Sequence, residues 1–222
     1  MGSLFVATLP VLMGYVPLGI AFGLLYSQLG LPWLYGILMS VLIFAGSGQF
    51  LLVSLLGVGS GLVEMVVATF LLNLRHLFYG LAMIEALRHF GWRKQYIIFA
   101  LTDETFALLK TLDIPSHKQE KSYFWIALLN QGYWVLGSAI GIALGRAIPF
   151  PLEGIEFSLT ALFVVLTLEL LTRATSYMPF LLAGCVGCAG LFFFPKEQML
   201  LLSLLTTSIL LFGVRAWGRY DR

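Results

Sequence analysis

Residues 95–112 read QYIIFALTDETFALLKTL, an apolar stretch with Asp103 and Glu104 at its centre and a threonine on either side. A helix rises about 1.5 Å per residue and a hydrocarbon core is about 30 Å thick, so a crossing takes roughly 20 residues. Whether 95–112 crosses or turns back sets the topology around it, and Lys and Arg in short loops, which favour the cytoplasmic side, discriminate. Arg75 is set aside because it lies within a span, and Arg88, Arg93 and Lys94 are placed inside. A crossing then puts Lys110, Lys118, Lys121, Arg173, Arg215, Arg219 and Arg222 outside and adds only Arg146 and Lys196 inside, five against seven. A stretch that returns to its own side puts ten inside and leaves Arg146 and Lys196 outside. The second arrangement follows the rule. The expectation is a re-entrant or interfacial helix at 95–112 and a cytoplasmic C-terminus. Irregular backbone at membrane depth is tolerated only where protein or a water-filled cavity surrounds it, so a cavity is implied.

The rest of the chain supports a bilayer setting. Of its 222 residues 59% are hydrophobic and only 11% charged, against about 25% charged in a soluble domain, and the mean hydropathy is +0.93. That excludes an ordinary soluble domain and a disordered chain. A net charge of +2 provides no field for nucleic acid. Two cysteines exclude a disulfide scaffold. No Asp, Glu, Lys or Arg occurs from Met1 to Val63, so the first segment lacks the basic start of a secretory signal and reads as the first span. The opening Met1-Gly2-Ser3 raises the expectation of a polar lead that is missing. Spans are expected near 4–27, 33–57, 62–86, 123–146, 155–172, 176–194 and 197–215, broken at Leu31-Pro32, Gly57 to Gly61, Ile148-Pro149-Phe150-Pro151 and Pro195-Lys196. The fold class is all-α: a polytopic membrane helix bundle of about seven spans plus the short re-entrant helix, forming a single domain over 1–222.

A glycine pattern repeats. Gly14-Tyr15-x-x-Leu18-Gly19-x-Ala21-x-Gly23 recurs as Gly132-Tyr133-x-x-Leu136-Gly137-x-Ala139-x-Gly141 at an offset of 118 residues. With seven spans the first and fourth run in opposite directions, which allows an inverted repeat with halves 1–112 and 123–215. Secondary transporters built this way bind substrate near the midplane at interrupted helices. Gly14, Pro17 and Gly19 are the candidate helix break. The competing account is close packing, since Gly19-xxx-Gly23 and Gly137-xxx-Gly141-xxx-Gly145 are small-xxx-small faces.

Polar residues at membrane depth mark candidate sites. In the second span, Phe44-Ala45-Gly46-Ser47-Gly48-Gln49-Phe50 puts a hydroxyl and an amide among small residues that let a helix loosen. Gly46, Ser47 and Gln49 therefore line a cavity or serve interhelical hydrogen bonds, which average only about 0.6 kcal/mol. In the third span Asn73, Arg75, His76 and Tyr79 fall on neighbouring helical faces. A central Arg costs about 2.5–3.5 kcal/mol on insertion scales, so Arg75 either pairs with Asp103 or Glu104 and locks the bundle, or contacts substrate. The reference pKa of a histidine, about 6.5, makes His76 a candidate proton carrier; the alternative is a plain hydrogen-bond donor. Asp103 and Glu104 disfavour joint ionisation, which suits proton coupling; Thr102 or Asp103 equally suits the N-cap of a half-helix. Asn130 and Gln131, in the fourth span, are candidates for the same cavity. Glu169 and Arg173 form an i,i+4 pair. Cys185-x-x-Cys188 has no second ligand pair, and no nucleotide loop, nucleophile elbow or His-Glu cluster occurs, so neither metal, cofactor nor enzyme chemistry is expected.

At these motifs the chain resembles the AzlC family, the large subunit of bacterial branched-chain amino acid exporters. The likeness rests on Gly-Tyr-Val-Pro-Leu-Gly from Gly14, on Phe44 to Phe50, on Asn-Leu-Arg-His-Leu-Phe-Tyr-Gly from Asn73, and on Thr-Asp-Glu-Thr-Phe-Ala from Thr102. It covers Leu9 to about Gly213. The N-terminal lead is shorter than the family's, and Gly48 stands where alanine is more usual. The resemblance implies export of valine, leucine, isoleucine or close analogues across the bacterial inner membrane, with a smaller AzlD-like membrane subunit as partner.

Such a substrate presents a carboxylate, an ammonium and an apolar branch, and desolvating both charges requires partners for each. Arg75 or a half-helix N-terminus is the candidate for the carboxylate, and Asp103 or Glu104 for the ammonium or a coupled proton. Ser47, Gln49 and Asn73 complete the hydrogen bonds, with Phe44, Phe50 and Phe78 around the branch. A channel, or a carrier for another small solute, uses the same polar centre. A scaffold has no need for charged groups at that depth.

Overall fold

The computed structural model describes residues 2–147, 176–195 and 199–220, together with helical positions 164, 167–168 and 171–172. The described residues are helical, with no strand among them. They divide into two compact units, one of residues 1–57 and 72–152 and the other of 58–71 and 153–222.

The first unit is built on a seam of glycines. Helix α1 (Gly2–Ser27) packs along α7 (Ser116–Ala147). A Cβ on Gly19 would lie 2.9 Å from the Ser138 amide nitrogen, and one on Gly23 would overlap Ser138 and Gly141 backbone. Gly137 abuts Val16 and Gly19, Gly141 abuts Ile20, and Gly145 meets Ser27. The contacts join 19 to 137, 23 to 141 and 27 to 145, the offset of the sequence repeat itself. Numbering rises together on both helices, so α1 and α7 run parallel. This corrects the expectation that the two glycine segments run in opposite directions. The repeated motif is a packing surface, because two backbones approach this closely only where neither carries a side chain.

A second correction concerns the break at Gly14, Pro17 and Gly19. Helix α1 is continuous through all three, with Pro10 and Pro17 inside it. Proline removes one backbone donor, a loss that helices in a membrane bundle tolerate when neighbours pack against them.

The interruption falls in the expected second span. Residues 33–57 form α2 (Trp33–Leu42) and α3 (Ser47–Gly57), not one helix. Phe44 and Gly46 turn the chain at φ 42° and 46°, a left-handed region that glycine enters freely and phenylalanine rarely. Helix α2 runs against α1: Gly36 lies beside Tyr26, and the Phe44 ring is 6.4 Å from that of Tyr15. Helix α3 then returns, bringing Phe50 within 5.9 Å of Phe22 and Gly57 beside Leu29. At about 1.5 Å per residue each arm is about 15 Å long, half of a hydrocarbon core. The segment is a helical hairpin that starts and ends beside the C-terminus of α1.

Helix α4 (Leu62–Met83) leads to a second hairpin at the other end. Helix α5 (Arg93–Phe99) climbs along α7, with the Gly91 N–H donating to Glu120 Oε1 at 3.2 Å and the Tyr96 hydroxyl to Gln131 Oε1 at 2.5 Å. Helix α6 (Asp103–Thr111) comes back down: Asn130 Nδ2 donates to Thr105 Oγ1 at 2.9 Å, and the Tyr123 hydroxyl to the Leu109 carbonyl at 3.0 Å. Thr102 caps α6 by accepting from the Thr105 N–H at 3.2 Å, which is why the helix starts at the acids. Met83, Leu87, Ile97, Leu101, Leu109, Tyr123 and Ile126 form the apolar core that anchors this hairpin.

The second unit contains the start of α4 and two apolar helices, α8 (Met178–Phe193) and α9 (Met199–Tyr220), which pack where Gly190 meets Ser203. Cys185 and Cys188 on α8 are free thiols. Most of the expected span 155–172, the break at Pro149 and Pro151, and the Glu169–Arg173 pair lie outside the described residues.

Candidate functional site

The bends of the two hairpins approach α1 from opposite ends of the unit, and Tyr15 stands between them. Its ring packs edge-on against Phe44 of the first bend at 6.4 Å and Trp134 of α7 at 5.7 Å. Its hydroxyl donates to Glu104 Oε2 and lies equally close, 2.6 Å, to Thr102 Oγ1 in the second bend. Phe22 and Phe50 complete an aromatic cluster around the Trp134 indole, at 6.1 and 6.3 Å.

Helix α4 passes both bends. Gly48 faces Asn73 closely: a Cβ there would lie 2.6 Å from Nδ2, the far end of a side chain that can shift to make room. One and a half turns on, the Tyr79 hydroxyl donates to Asp103 Oδ1 at 2.6 Å, and its ring stacks on Phe106 at 4.9 Å and meets His76 edge-on at 6.0 Å. Asn73, His76 and Tyr79 therefore lie on the side of α4 that serves the hairpins. Arg75 belongs to the same stretch of α4; its side chain, and with it the expected pairing to Asp103 or Glu104, lies outside the described residues.

Helix α7 ties the hairpins together through the two amides singled out in the sequence. Gln131 accepts from Tyr96 on α5 and donates to the Val41 carbonyl at the end of α2 at 2.8 Å, while Asn130 holds Thr105 on α6. Gln49 is fully buried and works within its own hairpin, accepting from the Ala45 N–H at 3.3 Å and donating to Ser40 at 3.4 Å. Ser47 is buried beside it, and Gly46 has open space where a Cβ would sit. Phe44 and Phe50 are buried, whereas Phe78 is 60% exposed and stands apart from these rings. Gly14 borders nothing and Gly19 belongs to the seam, so neither forms part of the site. A groove of about 370 Å³ lined by Trp33, Ile37, Ala139, Ile142, Ala143 and Arg146 lies away from the bends.

The two half-helices that begin at these bends differ in charge. A helix N-terminus carries partial positive charge. That of α3 has no acidic residue in its first turn, and that of α6 has both Asp103 and Glu104. One bend favours an anionic group and the other a cationic one. Tyr15, Thr105 and Trp134 were not singled out in the sequence. Tyr15 sits inside the repeated Gly-Tyr motif and Thr105 inside the Thr-Asp-Glu-Thr run, but neither is ionic; nothing local marks Trp134.

The AzlC protein family model matches residues 10–148. The chain belongs to the AzlC family. The match ends close to the end of the first unit, so the hairpin assembly is the part that this AzlC-family chain shares with the model. Over 204 residues it is 35% identical to the branched-chain amino acid transport protein AzlC of Bacillus subtilis, covering 91% of this chain and 80% of that one. It is 36% identical to an uncharacterized membrane protein of Helicobacter pylori, covering 90% and 88%. To the inner membrane protein YgaZ of Escherichia coli it is 29% identical, covering 85% and 80%. No solved structure matches. The chain is a membrane protein of a transport family, and among its described residues three helices, within α1, α4 and α7, are long and apolar enough to cross a bilayer.

Proposed function

We propose that this AzlC-family chain is the large subunit of a secondary, proton-coupled exporter of branched-chain amino acids such as valine, working with a small AzlD-like membrane subunit in the bacterial inner membrane. The observation that carries this reading is the pair of opposed half-helices with unlike N-termini. A zwitterion needs an anion site and a cation site a short distance apart, both shielded from water. The α3 start, with Gly46 and Ser47, takes the carboxylate together with Arg75. Asp103 and Glu104 at the α6 start take the ammonium, or the coupled proton when the site is empty of substrate. Asn73, His76 and Tyr79 hold the groups between them. Phe44 and Phe50 supply an apolar wall; such a wall distinguishes one methylene by only about 1–3 kcal/mol, so several related amino acids are carried.

The charge distribution supports an orientation. In the first unit Arg88, Arg93, Lys94, Lys110, Lys118 and Lys121 gather at the end where the second hairpin enters, and Arg146 ends α7 at the other. By the preference of basic loops for the cytoplasm, the second hairpin enters from inside and the first from outside. Each hairpin then controls access from one face, as alternating access requires.

The test is efflux of labelled valine from preloaded cells expressing the chain, with and without the small subunit, before and after a protonophore. Efflux that needs the partner and collapses with the proton gradient is expected. Unchanged valine retention in every condition, with the protein present in the membrane, would sink the proposal and leave a channel or a carrier of another solute.

A further inference from the structure

Two polar atoms on one face of α7 are buried without a hydrogen bond among the described residues. Asn130 is 0% exposed and Trp134 is 2% exposed, and neither Asn130 Oδ1 nor Trp134 Nε1 has a hydrogen-bond partner among the described residues. Buried polar groups are nearly always paired, and each unpaired one lowers stability. The Asn130 amide meets Thr105 through one end only, so turning it about leaves the other end unpaired. The residues are four apart, hence neighbours on the helix surface. Their chemistry is complementary: the indole N–H only donates, and the amide oxygen only accepts.

Their surroundings give the pair a polarity. Trp134 packs against Phe50 of α3 and against Tyr15, which touches Phe44, so the donor sits beside the first hairpin. Asn130 is held by Thr105 in the first turn of α6, so the acceptor sits beside the second, with its acids. The donor is thus next to the half-helix that favours an anion, and the acceptor next to the one that favours a cation.

We propose that Asn130 and Trp134 form an amino acid subsite on α7, in which Trp134 Nε1–H donates to the substrate carboxylate and Asn130 Oδ1 accepts from its ammonium. This rests on the function proposed above and adds to it the two groups that recognise the zwitterion from the α7 side. In the present conformation the rings of Tyr15, Phe22 and Phe50 close over the indole; withdrawal of one hairpin opens the subsite. The unpaired groups are kept because they are paired in the loaded state.

The experiment compares Trp134→Phe and Asn130→Leu with the wild type in cells that also express the small subunit, measuring labelled valine efflux over a range of internal valine. The thermal denaturation temperature of each purified full chain is measured without valine. The half-saturating valine concentration is expected to rise about tenfold in both variants, with the maximal rate kept within about twofold. Trp134→Phe keeps an aromatic ring and removes a stranded N–H, so its denaturation temperature stays at or above the wild-type value. Asn130→Asp keeps an acceptor oxygen that Asn130→Leu lacks, and its half-saturating concentration is expected to lie below that of Asn130→Leu. If both variants saturate as the wild type does, the pair is structural and the proposal is wrong, whatever their stabilities. A rise in only one variant overturns the paired subsite as well. Absence of saturable valine efflux from the wild type would instead overturn the exporter reading on which the subsite depends.

Discussion

Phe44 holds a left-handed backbone conformation at φ 42°, which for a non-glycine residue costs about 1–3 kcal/mol and persists only where surrounding contacts enforce it. Here its ring lies against Tyr15, the residue that also grips the opposite bend. Tyr15→Phe keeps the ring contact and removes the hydroxyl. Thr102 loses a buried partner, so the chain is expected to lose about 1 kcal/mol of stability and to transport more slowly, read as a lower denaturation temperature alongside valine efflux. The charged groups act more directly. Arg75→Ala and Asp103→Asn are each expected to cut valine efflux at least about tenfold, the effect of about 1.4 kcal/mol on a rate or affinity. Wild-type efflux from both would show that the charges serve elsewhere. The cost of ionic and amide groups at membrane depth is what makes Asn73, Arg75, Asp103 and Glu104 candidates in the sequence; the structure brings Asn73, Asp103 and Glu104 to the bends. Tyr15 and Trp134 were not legible there, since aromatic residues are ordinary in a span and only contacts reveal which of them matter.

Among the elements, α1 and α7 allow a test within a single motif. Its first glycines, Gly14 and Gly132, border open space, whereas Gly137 and Gly141 would each place a Cβ under 3.0 Å from the backbone of α1. Alanine at 14 or 132 is therefore expected to leave thermal stability unchanged. Alanine at 137 or 141 is expected to cost about 1–3 kcal/mol, measurable as a denaturation shift of several degrees in detergent. Equal tolerance at all four positions would mean that the helices do not meet along this seam. Thr102→Ala removes the cap of α6 and is expected to cost about 1 kcal/mol. The two hairpins share a short sequence echo, Ile43-Phe44-Ala45 at one bend and Ile98-Phe99-Ala100 at the other. It is too short to stand out in a chain this apolar, and it becomes visible as a correspondence only when both bends are seen. The longer glycine repeat was easier to see and misleading about direction, because a matched packing surface arises in parallel helices as readily as in an inverted repeat.

For the molecule as a whole, the doubling back of 33–57 changes which loops share a side. With Cys185 and Cys188 replaced by serine, single cysteines at Gln28 and Leu56 are expected to react with a membrane-impermeant thiol reagent from one face, and those at His89 and Asp113 only from the other. Labelling of Gln28→Cys and Leu56→Cys from opposite faces would restore a straight second span. The length of 33–57 suits one membrane-crossing helix, and Ala45, Gly46, Ser47 and Gly48 are compatible with a loosened helix and with a turn. What decides between them is the environment of α3, whose Phe50 and Gly57 find Phe22 and Leu29 only by reversing.

The sequence by itself determined a helical membrane protein of the AzlC family and most of the polar residues at its centre, because hydropathy, length and the cost of burying charge are properties of local composition. It also favoured the return of 95–112 through the placement of its basic residues. Only the tertiary structure decided that α1 stays unbroken, that α1 and α7 lie parallel, and that the first hairpin turns back. Each of these depends on which surfaces meet across long separations in the chain, and a helical stretch carries the same periodicity whichever partner it finds.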